Sequence, residues 1–140
     1  MVILELSKFI KEDLLELEFL TRVVGSGSQQ FYEIPSIGIK AEGLRPLNML
    51  NEYPLELECR DFIITVPEPG AYVLHKLHIN PSRMPSYKKE KDIDAVNALL
   101  IHIKNSEYEQ KRMETIFNNL TQKSRRIIED VCKKNYIELT

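Results

Sequence analysis

Apolar and polar residues alternate in short runs through the first half of the chain. Residues 2–6 are β-prone, and Leu15, Leu17 and Phe19 alternate with Glu16 and Glu18, the period-two pattern of a half-buried strand. Gly25-Ser26-Gly27-Ser28 reads as a flexible turn that joins this strand to a partner at 30–34, a hairpin ended by Pro35 and Ser36. Leu44, Leu47 and Leu50 recur at helical spacing and predict a short helix, with Pro46 tolerated in its first turn. A second hairpin follows. Leu55, Leu57 and Cys59 alternate with Glu56, Glu58 and Arg60, the chain turns at Arg60-Asp61, and residues 62–66 return as the second strand.

Beyond residue 67 the period changes to that of helices. Pro67 and Pro69 stop the strand, and Pro69 suits a first helical turn, where a missing N–H costs nothing. The helix over 70–78 presents Val73, Leu74 and Leu77 on one side, with Tyr72 and Lys76 one turn apart on another. Pro81 ends it, Arg83 sits in a loop, and Lys88, Lys89, Glu90, Lys91 and Asp92 open a longer helix striped by Ile93, Val96, Leu99, Leu100 and Ile103. Ser106 with Glu109 is a capping box for a third helix, whose apolar face is Met113, Ile116, Phe117 and Leu120. Thr121 caps a fourth, striped by Ile127, Ile128, Val131 and Cys132. The expectation is a single α+β domain over 1–140: a small antiparallel or mixed sheet within a mainly β segment 1–66, packed against a helical segment 67–140.

Composition narrows the picture little. The 140 residues are 43% hydrophobic and 29% charged, ordinary for a globular protein. A formal net charge of -2 recommends neither nucleic acid nor an anionic membrane, so a basic surface must be local, and 83–91 is the candidate. No run approaches the roughly 18 apolar residues of a membrane span, and the amino terminus lacks a signal-peptide pattern. Cys59 and Cys132 have no metal-ligand spacing and read as reduced thiols of a cytoplasmic protein.

Several residues carry candidate chemistry, each beside a plainer reading. Glu16 and Glu18 project from one face of a strand, as a Mg²⁺ site needs. Equally they form a solvent face, like Glu56 and Glu58. Lys76 and Arg83 suit triphosphate oxygens, the arginine bidentately and the lysine as a point charge. The plainer reading is a helix lysine with its stem on apolar neighbours and a loop arginine in a salt bridge. His75 and His78 bring no third metal ligand at a recognisable spacing, which reads as structural. Gly25-Ser26-Gly27-Ser28 lacks the Gly-Lys-Ser/Thr ending of a phosphate loop, and no nucleophile motif is present.

The string VPEPGAYVLHKL, followed by Arg83 and KKEKDIDAVNALL, resembles the latter half of nucleotidyltransferase-fold proteins of the DNA polymerase beta superfamily. One prokaryotic group of these carries a similar "LHKL" segment, then an arginine and a "KD" helix. LELEFLT, at 15–21, resembles that group's acidic strand, and IGIKAEGLRPLNML, at 37–50, its following segment. The resemblance implies that Glu18 is a metal-site carboxylate. It also implies that Lys76 and Arg83 bind the nucleotide, and that the Lys91-Asp92 pair belongs to the site through an ion pair orienting the basic group. Mg²⁺ and a nucleoside triphosphate are the implied cofactor and ligand.

The superfamily's hallmark, a Gly-Ser turn followed about ten residues later by an acid-x-acid strand, does not fit. Counting from Gly25-Ser26 reaches Ser36, Ile37 and Gly38, and from Gly27-Ser28 it reaches Lys40, Ala41 and Glu42. The expectation is therefore an incomplete or degenerate nucleotidyltransferase-like domain: a fragment, a half that pairs with a partner chain, or an inactive relative. The other hypothesis is a non-enzymatic module that binds a protein partner or forms a homodimer through an open sheet edge.

Overall fold

The structure, a computed structural model, describes residues 2–8, 15–22, 31–34, 38–44 and 48–139. It divides into two compact units, Met1–Leu47 and Asn48–Thr140. Taken together, strands in the first half and helices in the second make the chain α+β, as the change of period predicts.

The first unit is a four-stranded sheet of β1 (Val2–Lys8), β2 (Leu15–Arg22), β3 (Phe31–Ile34) and β4 (Ile39–Leu44), in the order β1-β2-β4-β3. β1 and β2 pair antiparallel, β2 and β4 parallel, and β3 and β4 antiparallel. The expected hairpin between the glutamate-rich strand and residues 30–34 is corrected here: β3 pairs with β4, and β2 lies between β1 and β4. The short link 35–38 contains Gly38 at φ +66°, a left-handed conformation that glycine enters without steric cost. Closing that local pair costs less loop entropy than closing the longer 23–30 segment, which lies outside the described residues.

A second correction concerns Leu44, Leu47 and Leu50. Leu44 ends β4, and the helix begins only at α1 (Asn48–Glu52), where Met49 and Leu50 are buried. Pro46 lies outside the described residues, but its missing N–H and the limit it places on the preceding residue both oppose a helix running through 44–47.

In the second unit α1 is followed by the hairpin of β5 (Pro54–Cys59) and β6 (Phe62–Pro67), turned at Arg60-Asp61 as the alternation predicts. Then come α2 (Pro69–Ile79), a 3-10 turn (Asn80–Ser82), α3 (Ser86–Lys104), α4 (Glu107–Asn119) and α5 (Gln122–Asn135). α2 is the centre, packing against α1, α3, α4 and α5. Ala71, Val73, Leu74 and Leu77 are fully buried, among Val96 and Ile103 of α3, Met113 and Ile116 of α4, and Ile128 of α5. Burying a leucine or isoleucine in such a core contributes about 1.5–3 kcal/mol.

The amino-terminal end of α2 is fixed in two ways. A Cβ on Gly70 would stand 2.8 Å from Met113 Cβ and 2.9 Å from Met113 Cα, so glycine permits the close approach of α2 and α4. Glu68, just before α2, donates its N–H to the Tyr53 carbonyl. Its carboxylate accepts two hydrogen bonds from Arg112 of α4, at 2.7 and 3.0 Å. The two later helices start as their caps predict: Ser106 Oγ accepts from Glu109 N–H, and Thr121 Oγ1 from Ser124 N–H.

Candidate functional site

Lys76 sits in the last turn of α2, with a side chain only 5% exposed. Pro81 stops that helix, and residues 80–85 carry the chain back along the start of α3. Asn80 Nδ2 donates to the Lys89 carbonyl, Lys89 Nζ to the Pro81 carbonyl, and Ser82 Oγ to the Ile79 carbonyl. That bracing delivers Arg83 inward. Arg83 Nε donates to Asp92 Oδ2 at 3.0 Å, and Lys76 Nζ lies 3.3 Å from Asp92 Oδ1. One buried carboxylate, 4% exposed, thus serves two buried cations. The Lys76 ammonium also lies 5.2 Å from the centre of the Tyr72 ring.

Removing such charges from water costs several kcal/mol per ion, which only close pairing and further hydrogen bonds repay. The cluster is therefore a specific arrangement with both oxygens of Asp92 in use. It unites three of the five residues proposed from sequence: Lys76, Arg83 and Asp92. Lys91 is half-buried on α3 next to Asp92 in the chain. Glu18 lies in β2 with its backbone opposite Glu5 of β1, and Glu16 opposite Ser7; the side chains of both glutamates lie outside what is described. Glu56 and Glu58 on β5 are exposed, as a solvent face requires.

The partner of Lys76 and Arg83 differs in part from the plainer expectations. Arg83 does make the salt bridge foreseen for a loop arginine, but Lys76 is buried rather than lying on the surface. The sequence places Tyr72 one turn away from Lys76. The four-residue spacing, which brings helical side chains together, was the signal that it touches the ammonium.

Other reactive groups stand elsewhere. His75 is buried and His78 half-buried. Burial, and then the positive charge of Lys123, hold His78 below the usual histidine range, and its Nδ1 is buried with no hydrogen-bond partner among the described residues. Burial, and then Glu129, push the Cys132 thiol up to about 11, so it is not a thiolate at neutral pH. A cleft of about 390 Å³ lies between the first turns of α3 and the end of α5, lined by Asn80, Ser86, Lys89, Ile93 and Lys134 among others; Lys76, Arg83 and Asp92 do not line it.

The donor chemistry bears on Mg²⁺, which asks for several oxygen ligands in near-octahedral array. Among the described residues no three of His, Cys, Asp and Glu gather into such a seat. Asp92 is committed to two cations. The described residues do not fit the ion, and Glu18 stays its candidate by resemblance alone.

An α+β chain with a helix lysine and a loop arginine gathered on a "KD" aspartate has the ordered elements of the nucleotidyltransferase resemblance. A family model described as nucleotidyltransferase matches residues 5–120, and the chain belongs to this family. No curated protein and no solved structure matches it. Among the described residues no helix is long and apolar enough to cross a membrane.

Proposed function

We propose that the chain binds a nucleoside triphosphate, with Lys76 and Arg83 as its phosphate ligands and Asp92 as the carboxylate that orients them. Lys91 flanks this group. The observation that carries the reading is the gathering of Lys76 and Arg83 on Asp92 in a chain of the nucleotidyltransferase family. In a complete enzyme an acceptor hydroxyl attacks the α-phosphorus and pyrophosphate leaves. Glu18 is the one carboxylate that resemblance assigns to the metal, and the Gly-Ser and acid-x-acid pattern does not fit this sequence. We therefore propose binding without transfer for these 140 residues, in a cytoplasmic setting.

The test incubates the purified chain with Mg²⁺ and each labelled nucleoside triphosphate, offering RNA, the protein itself and a cell extract as acceptors. The expected result is weak binding, reduced about tenfold or more by Lys76→Met, as for loss of a charge-assisted hydrogen bond. No label should be transferred. Transfer that disappears in Glu18→Ala would reveal a complete site. A folded chain that binds no triphosphate would sink the nucleotide reading.

One observation favours a second reading. Lys76 and Arg83 are each 4% exposed and lie outside the open cleft, as suits a fastening of the 80–85 loop rather than a ligand site. On that reading the chain is an interaction module. Among the described residues β1 ends the four-stranded sheet, and a strand with one unpaired edge is a template for another chain. We propose that a second copy or a partner chain covers it. Light scattering should then give a dimer for the pure protein or a complex with its partner; a monomer at high concentration, with no partner recovered, would refute the pairing.

A further inference from the structure

Lys76 has a flexible four-carbon stem, and an ion pair by itself leaves such an ammonium several orientations. Its distance to Asp92, 3.3 Å, is longer than the roughly 2.7–2.9 Å of a tight charge-assisted bond. The Tyr72 ring supplies a second hold: Nζ stands 5.2 Å from its centroid, within the range of about 6 Å over which a ring face attracts a cation. Helical side chains lean toward the amino terminus, so residue 76 extends over residue 72 one turn below. In a site where Lys76 is 4% exposed, water weakens this attraction little.

We infer that Tyr72 is a positioning residue for Lys76, its ring face and the Asp92 carboxylate together aiming the ammonium at the triphosphate. This rests on the nucleotide reading above for its purpose, though not for the contact itself. The role belongs to the ring's π-face rather than to its bulk. A branched aliphatic residue would fill the space without holding the charge, and phenylalanine would keep the hold without the hydroxyl.

The experiment compares the wild-type chain with Tyr72→Phe and Tyr72→Leu, each first shown to be folded by its helical circular dichroism. Two quantities are read: the chemical shift of the Lys76 ε-methylene protons, and the dissociation constants for a nucleoside triphosphate and for the matching nucleoside. The ring current should move the ε-protons upfield in wild type and Tyr72→Phe and release them in Tyr72→Leu. Triphosphate affinity should fall about threefold to tenfold in Tyr72→Leu and be restored in Tyr72→Phe, while nucleoside affinity stays level. A merely space-filling tyrosine would leave the ratio of the two affinities unchanged, and that result overturns the inference. So does a Tyr72→Phe variant as impaired as Tyr72→Leu. If the wild-type chain binds no triphosphate, the nucleotide reading and this purpose fall together. The ε-proton shift then still decides the contact, and an unmoved shift in Tyr72→Leu would remove that as well.

Discussion

Replacing Asp92 with alanine is expected to lower folding stability by about 3 kcal/mol, the scale for removing one member of a buried ionic group. Asp92 is 3% exposed, and both its oxygens face cations that are themselves buried. The substitution takes away the carboxylate that Lys76 and Arg83 share while leaving their charges inside. Set against a total stability of about 5–15 kcal/mol for a domain, that is a large fraction. Lys76→Met should cost less, because Arg83 keeps its bond to Asp92 and methionine fills the apolar part of the lysine's space. Urea unfolding followed by helical circular dichroism tests the order. Asp92→Ala should lower the midpoint most, with the slope unchanged. A loss no larger than that of Lys76→Met would mean that the carboxylate is not the hub of the cluster.

The same cluster shows how far the sequence could be read. That Lys76 lies on a helix and Arg83 in a loop follows from Pro69, Pro81 and the apolar spacing between them. That both are buried does not. A lysine one turn from a tyrosine looks alike on a surface or in a core, and what decides is a carboxylate on another helix, reached by a loop. Only the resemblance drew Asp92 into the site. Tyr72 was within reach of the four-residue spacing, but its contact depends on Lys76 being turned inward.

In the first half alternation identified strands and misassigned their partners. Leu15, Leu17 and Phe19 say which face of β2 is apolar, and nothing in that period says whether the neighbour is β1, β3 or β4. β4 itself was hidden, because Leu44, Leu47 and Leu50 suggested a helix over the strand's end and Gly43 interrupts its alternation. Pro46 was the warning against that helix. By contrast β5 and β6 were legible, since a two-residue turn fixes both partner and register locally. The later helices were legible from their caps, whose hydrogen bonds lie within a few residues of each helix start.

α2 itself leads to the other large expected effect. Its amphipathic reading gave one apolar side, but the helix is surrounded, with Ala71, His75, Lys76 and Ile79 buried as well as Val73, Leu74 and Leu77. A residue at the middle of such a helix touches neighbours that cannot all move inward when it shrinks. Leu74 is fully buried in the core formed with α3, α4 and α5. Leu74→Ala should therefore cost about 3 kcal/mol, the transfer free energy of the lost atoms plus that of the remaining cavity. For a small domain each kcal/mol lowers the melting temperature by about 4–8 °C, so the shift should exceed 10 °C or so. Ile101→Ala is the control, because Ile101 on α3 is 68% exposed and its loss leaves no cavity. Among the described residues all five α-helices lie in the second unit, so the helical signal from them reports on the unit that contains α2. If Leu74→Ala melts with Ile101→Ala, α2 is not the centre of this unit. Lys76, Arg83 and Asp92 would then lose the rigid frame that holds them.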